Sequence, residues 1–300
     1  MKALSLFCLL FASLSAHAKT VTIEHVAGTT VIETKPQRVV VIGAGALDML
    51  DYFGITPVAV NHDYQPDYLK KYTEGDYPSA GTLFEPSYED IYTQKPDLII
   101  TGPRMAGNYQ KLSEIAPMVV LSPHATDGYW ESTQEQWRII GRIFEVSEKV
   151  EETISRIDKD FKAIKAFNAQ HPAKSLTVMN FGGNVTAFSE KSRFSSLYHD
   201  FGFQQTDAQK MKTNGHGDLV SFEFIREVNP DYLFIIDGEK LRDAKSEQTR
   251  EMFDNELVKQ TIAFQKDQIV YLSLNAWYIS MGGVRATEIM VQDLKTLLGI

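Results

Sequence analysis

Pro86-Ser87-Tyr88-Glu89-Asp90-Ile91, running on to Lys95-Pro96-Asp97-Leu98-Ile99, has a twin further along the chain. The twin is Val220-Ser221-Phe222-Glu223-Phe224-Ile225, running on to Asn229-Pro230-Asp231-Tyr232-Leu233. Ser, Glu, Ile, Pro and Asp match at a constant offset of 134 positions. Both copies follow one physical logic. A Ser caps a helix, an acid in the first turn meets the positive end of the helix dipole, and Pro ends the helix before a buried strand. One copy per lobe is the economical explanation, and the offset measures the lobe spacing.

Strands and helices alternate on either side of each twin. Val39-Val40-Val41-Ile42, bounded by Gly43 and Gly45, is the apolar run of a buried parallel strand. Residues 48–53 have a short helical pattern closed by Gly54, residues 57–60 and 97–100 read as strands, and 87–94 as a helix. In the second half, strands are expected at 176–179, 232–236 and 268–272, with helices at 194–201, 222–228 and 286–298. This order predicts an α/β fold of two Rossmann-like lobes with mainly parallel sheets. The length of 300 residues also favours two lobes over one core.

The longest helical pattern lies between them. Val150, Ile154, Ile157, Phe161, Ile164 and Phe167 form one apolar stripe. A helix over 148–169 would be roughly 33 Å long at about 1.5 Å per residue, and would join the lobes as a stiff spacer. His171-Pro172 would end it. The expected organisation is a leader at 1–18, a first lobe at 19–145, a linker helix at 146–170 and a second lobe at 171–300.

The leader is read from Lys2, the apolar run Ala3 to Leu14, and the A-x-A ending Ala16-His17-Ala18. These are the parts of a cleaved secretory signal peptide, and the apolar run is too short for a permanent membrane span. Its removal would take away Cys8, the single cysteine. The mature chain then reads as soluble and exported, without disulfides or thiolate metal sites. Lys and Arg number 30 against 39 Asp and Glu, a net charge of −9, which counts against a nucleic-acid partner.

Gly43-Ala44-Gly45-Ala46-Leu47-Asp48 begins like a dinucleotide-binding loop, but Asp48 stands where the third glycine is needed, so a tight strand-to-helix turn is the simpler reading. The nucleophile elbow, the zincin helix and the P-loop pattern are absent, and nothing in the sequence supports an enzyme. Arg104, Arg193, His216 and Tyr278 each fall in a loop after a strand, where α/β sheets bind ligands. Read singly, each is an ordinary solvated loop residue. Their shared position at strand ends would let two lobes present them to one cleft.

The leader, the two lobes, the bridging helix and the twinned segments together resemble the helix-linked periplasmic substrate-binding proteins of iron and cobalamin ABC importers. The closer resemblance is to the binding proteins for ferric catecholate siderophores of the enterobactin and vibriobactin type. It is carried by Gly102-Pro103-Arg104 with Tyr109-Gln110-Lys111-Leu112, by Ser192-Arg193-Phe194, by His216 before Ser221-Phe222-Glu223, and by Trp277-Tyr278.

The resemblance implies a monomeric receptor, not an enzyme, that delivers a ferric siderophore to an inner-membrane ABC permease and its ATPase. No cofactor would be held permanently; ferric iron arrives inside the siderophore complex. Arg104 and Arg193 would be two arginines of a basic cup. The family's third would fall near Asp237-Gly238, where this chain has glycine, and Arg242 is the nearby candidate to replace it. His216 and Tyr278 would complete the iron shell when a tetradentate siderophore leaves two positions open. Glu89 and Glu223 would dock arginines of the permease, beyond their role at the helix dipole. Haem or cobalamin as cargo, and an exported α/β enzyme, are the alternative readings.

Overall fold

The computed structural model describes residues 19–124, 128–206 and 217–300; the expected leader with Cys8, and His216, lie outside the described residues. The chain starts with an antiparallel hairpin of β1 (Thr20–His25) and β2 (Gly28–Glu33). The first lobe is built on β3 (Val39–Ile42), β4 (Ala59–Val60), β5 (Leu98–Thr101) and β6 (Met118–Val120), in the order β4-β3-β5-β6. Every pairing in this sheet is parallel. β3, β5 and β6 are buried along their whole length, which is why they read as unbroken apolar runs. Helices α1 (Ala44–Phe53), α2 (Tyr88–Thr93) and α3 (Tyr109–Ser113) connect them.

Two long helices follow, α4 (Tyr129–Phe144) and α5 (Ser147–Gln170). α5 is the expected linker helix. It buries Val150, Ile154, Ile157, Phe161 and Ile164, and His171 ends it.

The second lobe contains β7 (Lys174–Phe181), β8 (Asn184–Phe188), β9 (Gln204–Gln205), β10 (Asp218–Leu219), β11 (Tyr232–Asp237) and β12 (Ile269–Leu272). Its order is β10-β8-β7-β11-β12, with β9 beside β7. β7, β11 and β12 run parallel, whereas β8 turns back antiparallel on β7. The α/β class therefore holds, with one parallel sheet and one mixed sheet. Short helices α6 (Ser196–His199), α7 (Phe222–Val228), α8 (Gln248–Phe253), α9 (Glu256–Lys259) and α10 (Ile262–Gln265) surround it.

The twinned segments are α2–β5 and α7–β11. Ser87 Oγ accepts from Asp90 N and Ser221 Oγ accepts from Phe224 N, so both serines cap as the pattern requires.

The last helix, α11 (Val284–Leu298), returns to the first lobe and packs on α1 and α5. An aromatic column also bridges the lobes. Trp130 of α4 stacks on Phe161 of α5 at 4.5 Å, Phe161 on Phe201 at 4.4 Å, and Phe201 meets Trp277 at 5.9 Å. A continuous core thus runs from the first sheet through α4 and α5 into the second lobe. No helix among the described residues is long and apolar enough to cross a membrane.

Candidate functional site

Residues that follow β3, β5, β8 and β12 line one cleft. Its inner chamber, about 280 Å³, is lined by Arg104 and Met105 from the first lobe, and by Arg193, Tyr278 and Met281 from the later part of the chain. A second chamber of about 220 Å³ continues past Arg193 and Tyr278 to Phe181 and Leu241. A wider polar recess of about 830 Å³ opens on the far side, with His62, Lys70, Asp237, Lys240 and Arg242 on its walls.

Each central side chain is carried by an element the fold holds firmly. Arg104 sits in the first turn of a 3-10 helix, Pro103–Asn108, immediately after β5. Gly102 N donates to Ile42 O at 2.9 Å, so this turn is tied to the end of β3. Arg193 follows β8 in a tight turn: Ser192 Oγ donates to Ser189 O, and Ser195 N donates to Ser192 O at 3.1 Å. Its neighbours Ser192 and Phe194 are buried, so the backbone is pinned while the guanidinium remains half-buried at the cleft.

Tyr278 rides on a π-helical turn, Asn275–Ile279, just past β12. Such turns widen a helix by one residue and recur at functional sites. Trp277 anchors this one, donating from Nε1 to Asp293 Oδ2 at 2.9 Å.

The three side chains converge. The Arg193 guanidinium carbon lies 4.6 Å from the centre of the Tyr278 ring, and that of Arg104 lies 5.7 Å from the same centre. Both distances are within cation–π range. Arg242 stands one ring further out, 4.5 Å over Phe181. Among the described residues none of these three arginines is in ion-pair contact with a carboxylate. Guanidinium groups left without counter-charge in a partly desolvated cleft form a ready anion site.

Gly238 has a packing role of its own. A Cβ there would sit 2.5 Å from Asn180 O and 2.7 Å from the Met179 methyl, so β7 closes this position to any side chain. Arg242 is the guanidinium that the following turn, Gly238–Leu241, delivers near the cleft.

Gly45 is likewise a close-packing glycine, since a Cβ would meet Met281 O at 2.6 Å. The 43–48 loop is a strand-to-helix turn whose residues Gly43, Ala44 and Gly45 line the inner chamber. Asp48 caps α11 instead, its carboxylate accepting from Arg285 N at 3.0 Å and Ala286 N at 2.9 Å.

Glu89 and Glu223 are exposed at the starts of α2 and α7 and do not line the cleft chambers. The Glu223 carboxyl is held below the usual range, first by the Ser221 hydroxyl and then by a backbone N–H. Phe181 went unnoticed in the sequence because the β7–β8 hairpin did. Gly182-Gly183 between two alternating runs is the signal that would have found it.

Comparison with known proteins concerns the chain as a whole. The model of a periplasmic binding protein family matches residues 39–275. The crystal structure of the periplasmic catecholate-siderophore binding protein VctP from Vibrio cholerae is similar, with a TM-score of 0.89 at 53% identity, covering 93% of this chain and 100% of that one. The petrobactin-binding protein YclQ of Bacillus subtilis is 33% identical over 269 residues, 89% of this chain and 84% of that protein. The ferric-anguibactin-binding protein FatB of Vibrio anguillarum is 30% identical over 278 residues, 91% of this chain and 86% of that protein.

Proposed function

The chain belongs to the periplasmic binding protein family, and from that premise we propose that it captures a ferric catecholate siderophore between its lobes and delivers it to an inner-membrane ABC permease. The observation that carries this reading is the meeting of Arg104 and Arg193, from opposite lobes, on the single ring of Tyr278 without a carboxylate partner among the described residues. A ferric tris-catecholate is a trianion spread over flat aromatic rings. Guanidinium suits it on both counts, because it keeps its charge, stacks on rings and donates to catecholate oxygens in a fixed fork. The similarity to a catecholate-siderophore binding protein supports the same ligand class.

The family consists of substrate-binding proteins, and the reading here is binding and release, not catalysis. Iron is cargo within its chelator. Arg242 is the third cation of the cup, since position 238 admits no side chain. Tyr278 supplies a phenolate, and His216 an imidazole, when a tetradentate bis-catecholate leaves two iron positions open. The leader expected at 1–18 supports export to the periplasm. Glu89 and Glu223, one on each twinned helix, meet the permease, whose ATPase drives release. Charge reversal at both glutamates should abolish whole-cell uptake and leave ligand affinity intact.

The test is quenching of tryptophan fluorescence by ferric enterobactin, a ferric bis-catecholate, haem and cobalamin; Trp277, next to Tyr278, is the reporter. Tight quenching by the catecholates is expected. Quenching by haem or cobalamin alone would overturn the proposal.

A further inference from the structure

Two phenylalanines stand exposed beside the cleft arginines. Phe84, from the first lobe, is 59% exposed, and Phe181, from the second, is 41% exposed. Neither ring hangs on a slack loop. Thr82 N donates to Glu85 O at 2.8 Å, Glu85 N donates back to Thr82 Oγ1 at 2.9 Å, and Leu83 N donates to Asp63 Oδ1 at 2.7 Å, so the turn carrying Phe84 is clamped on both sides. Phe181 is the last residue of β7, paired with Asn184 across the two-residue turn Gly182-Gly183.

Each ring also neighbours an arginine that pairs with no carboxylate among the described residues. The guanidinium of Arg104 lies 5.9 Å from the Phe84 ring centre, and that of Arg242 lies 4.5 Å from the Phe181 ring centre. Leu83, adjacent to Phe84, lines the inner chamber, and Phe181 lines the next one together with Arg193 and Tyr278. The arrangement is one ring and one guanidinium from each lobe, with the Arg193–Tyr278 pair between them.

We propose that Phe84 and Phe181 are an aryl-binding pair that selects ring-bearing ferric chelates over aliphatic ones. The inference rests on the ferric catecholate reading above and names what makes the site specific. Guanidinium groups attract any polyanion, so the arginines by themselves do not separate a ferric catecholate from a ferric citrate of similar charge. A pair of fixed aromatic faces does, because an aryl ring gains stacking and apolar burial there that an aliphatic carboxylate cannot. The turns fix the backbone beneath both rings before the ligand arrives, which lowers the ordering cost of binding.

The experiment titrates full-length mature protein with a ferric tris-catecholate and with ferric citrate, read by tryptophan fluorescence, for Phe84→Ala, Phe181→Ala, the double variant, and Leu and Trp replacements at both sites. Both rings are exposed, so the melting temperature of each variant should match wild type. Each alanine should weaken the tris-catecholate complex roughly 3- to 10-fold, and the double roughly 10- to 100-fold. Trp should retain the affinity, Leu should not, and ferric citrate should respond to none of them. Leucine binding as well as phenylalanine, or equal losses on both chelates, would overturn the aryl pair. Unchanged tight binding by the double variant would overturn the pair and leave the ferric catecholate function standing. Wild-type protein that fails to bind the tris-catecholate would overturn both.

Discussion

The seam where α11 meets α1 and α5 and the cleft where Arg104 meets Arg193 are both built with cations, and they treat them in opposite ways. At the seam Arg285, Arg156 and Lys295 each hold a carboxylate. Arg285 reaches the buried Asp51, which Lys71 and the Tyr72 hydroxyl also hold, Arg156 pairs with Glu288, and Lys295 reaches Asp160 at 2.8 Å. At the cleft, Arg104, Arg193 and Arg242 rest on aromatic rings and hold no carboxylate among the described residues. The same side chain thus closes the fold in one place and, in the proposed reading, serves an anion in the other. A paired guanidinium has already spent its attraction on the protein, and only an unpaired one has it left for a ligand.

This contrast can be broken in four ways, beginning with the largest effect. Phe161→Ala removes the middle of the aromatic column and should cost about 3–5 kcal/mol of stability, read as a fall in the urea midpoint. A loss below about 1 kcal/mol would mean that the column does not tie the lobes together. The double variant Arg104→Ala, Arg193→Ala should do the reverse. Affinity for a ferric tris-catecholate should fall on the order of 100- to 1,000-fold, about 3–4 kcal/mol, with the melting temperature unchanged. A large drop in melting temperature would show that these arginines belong to the fold.

The third test is a pH series. Burial pushes the Asp48 carboxyl from 3.8 up to about 6, against the N–H groups of Ala286 and Arg285 that favour its charged form. The folded state therefore binds this proton more tightly than the unfolded chain. Asp48's contribution is complete below about pH 3.8 and is lost as pH rises through about 6, by at most about 3 kcal/mol. Asp48→Asn should flatten that part of the stability curve; an unchanged slope would assign the titration to another group. The smallest effect is expected from Arg285→Met, about 1–2 kcal/mol, because Lys71 and Tyr72 still hold Asp51. Ligand affinity should not move in this variant, and a loss of binding would mean that seam and cleft are coupled.

Local chemistry made much of this protein legible without coordinates. The buried strands read as apolar runs because a parallel sheet is covered on both faces, and α5 read as a helix because its stripe repeats at the helical period. The twinned caps at Ser87 and Ser221 need only three neighbouring residues to form, so their pattern survives in the sequence. Arg104, Arg193 and Tyr278 could be selected as loop residues at strand ends for the same reason. The β7–β8 hairpin and helix α4 were missed, the first despite its Gly-Gly turn and the second despite the helical spacing of Trp137, Ile140 and Phe144.

Long-range geometry accounts for the remainder. No local pattern announces that Asp48 caps a helix 237 positions later, that β7 closes position 238 to arginine, or that two guanidiniums from different lobes share one tyrosine ring. Sequence determines the elements and the chemical groups they carry, because propensity, capping and periodicity act over a few residues. Which of those groups meet is decided by the packing of two sheets and three long helices, whose contacts join residues that the chain keeps far apart.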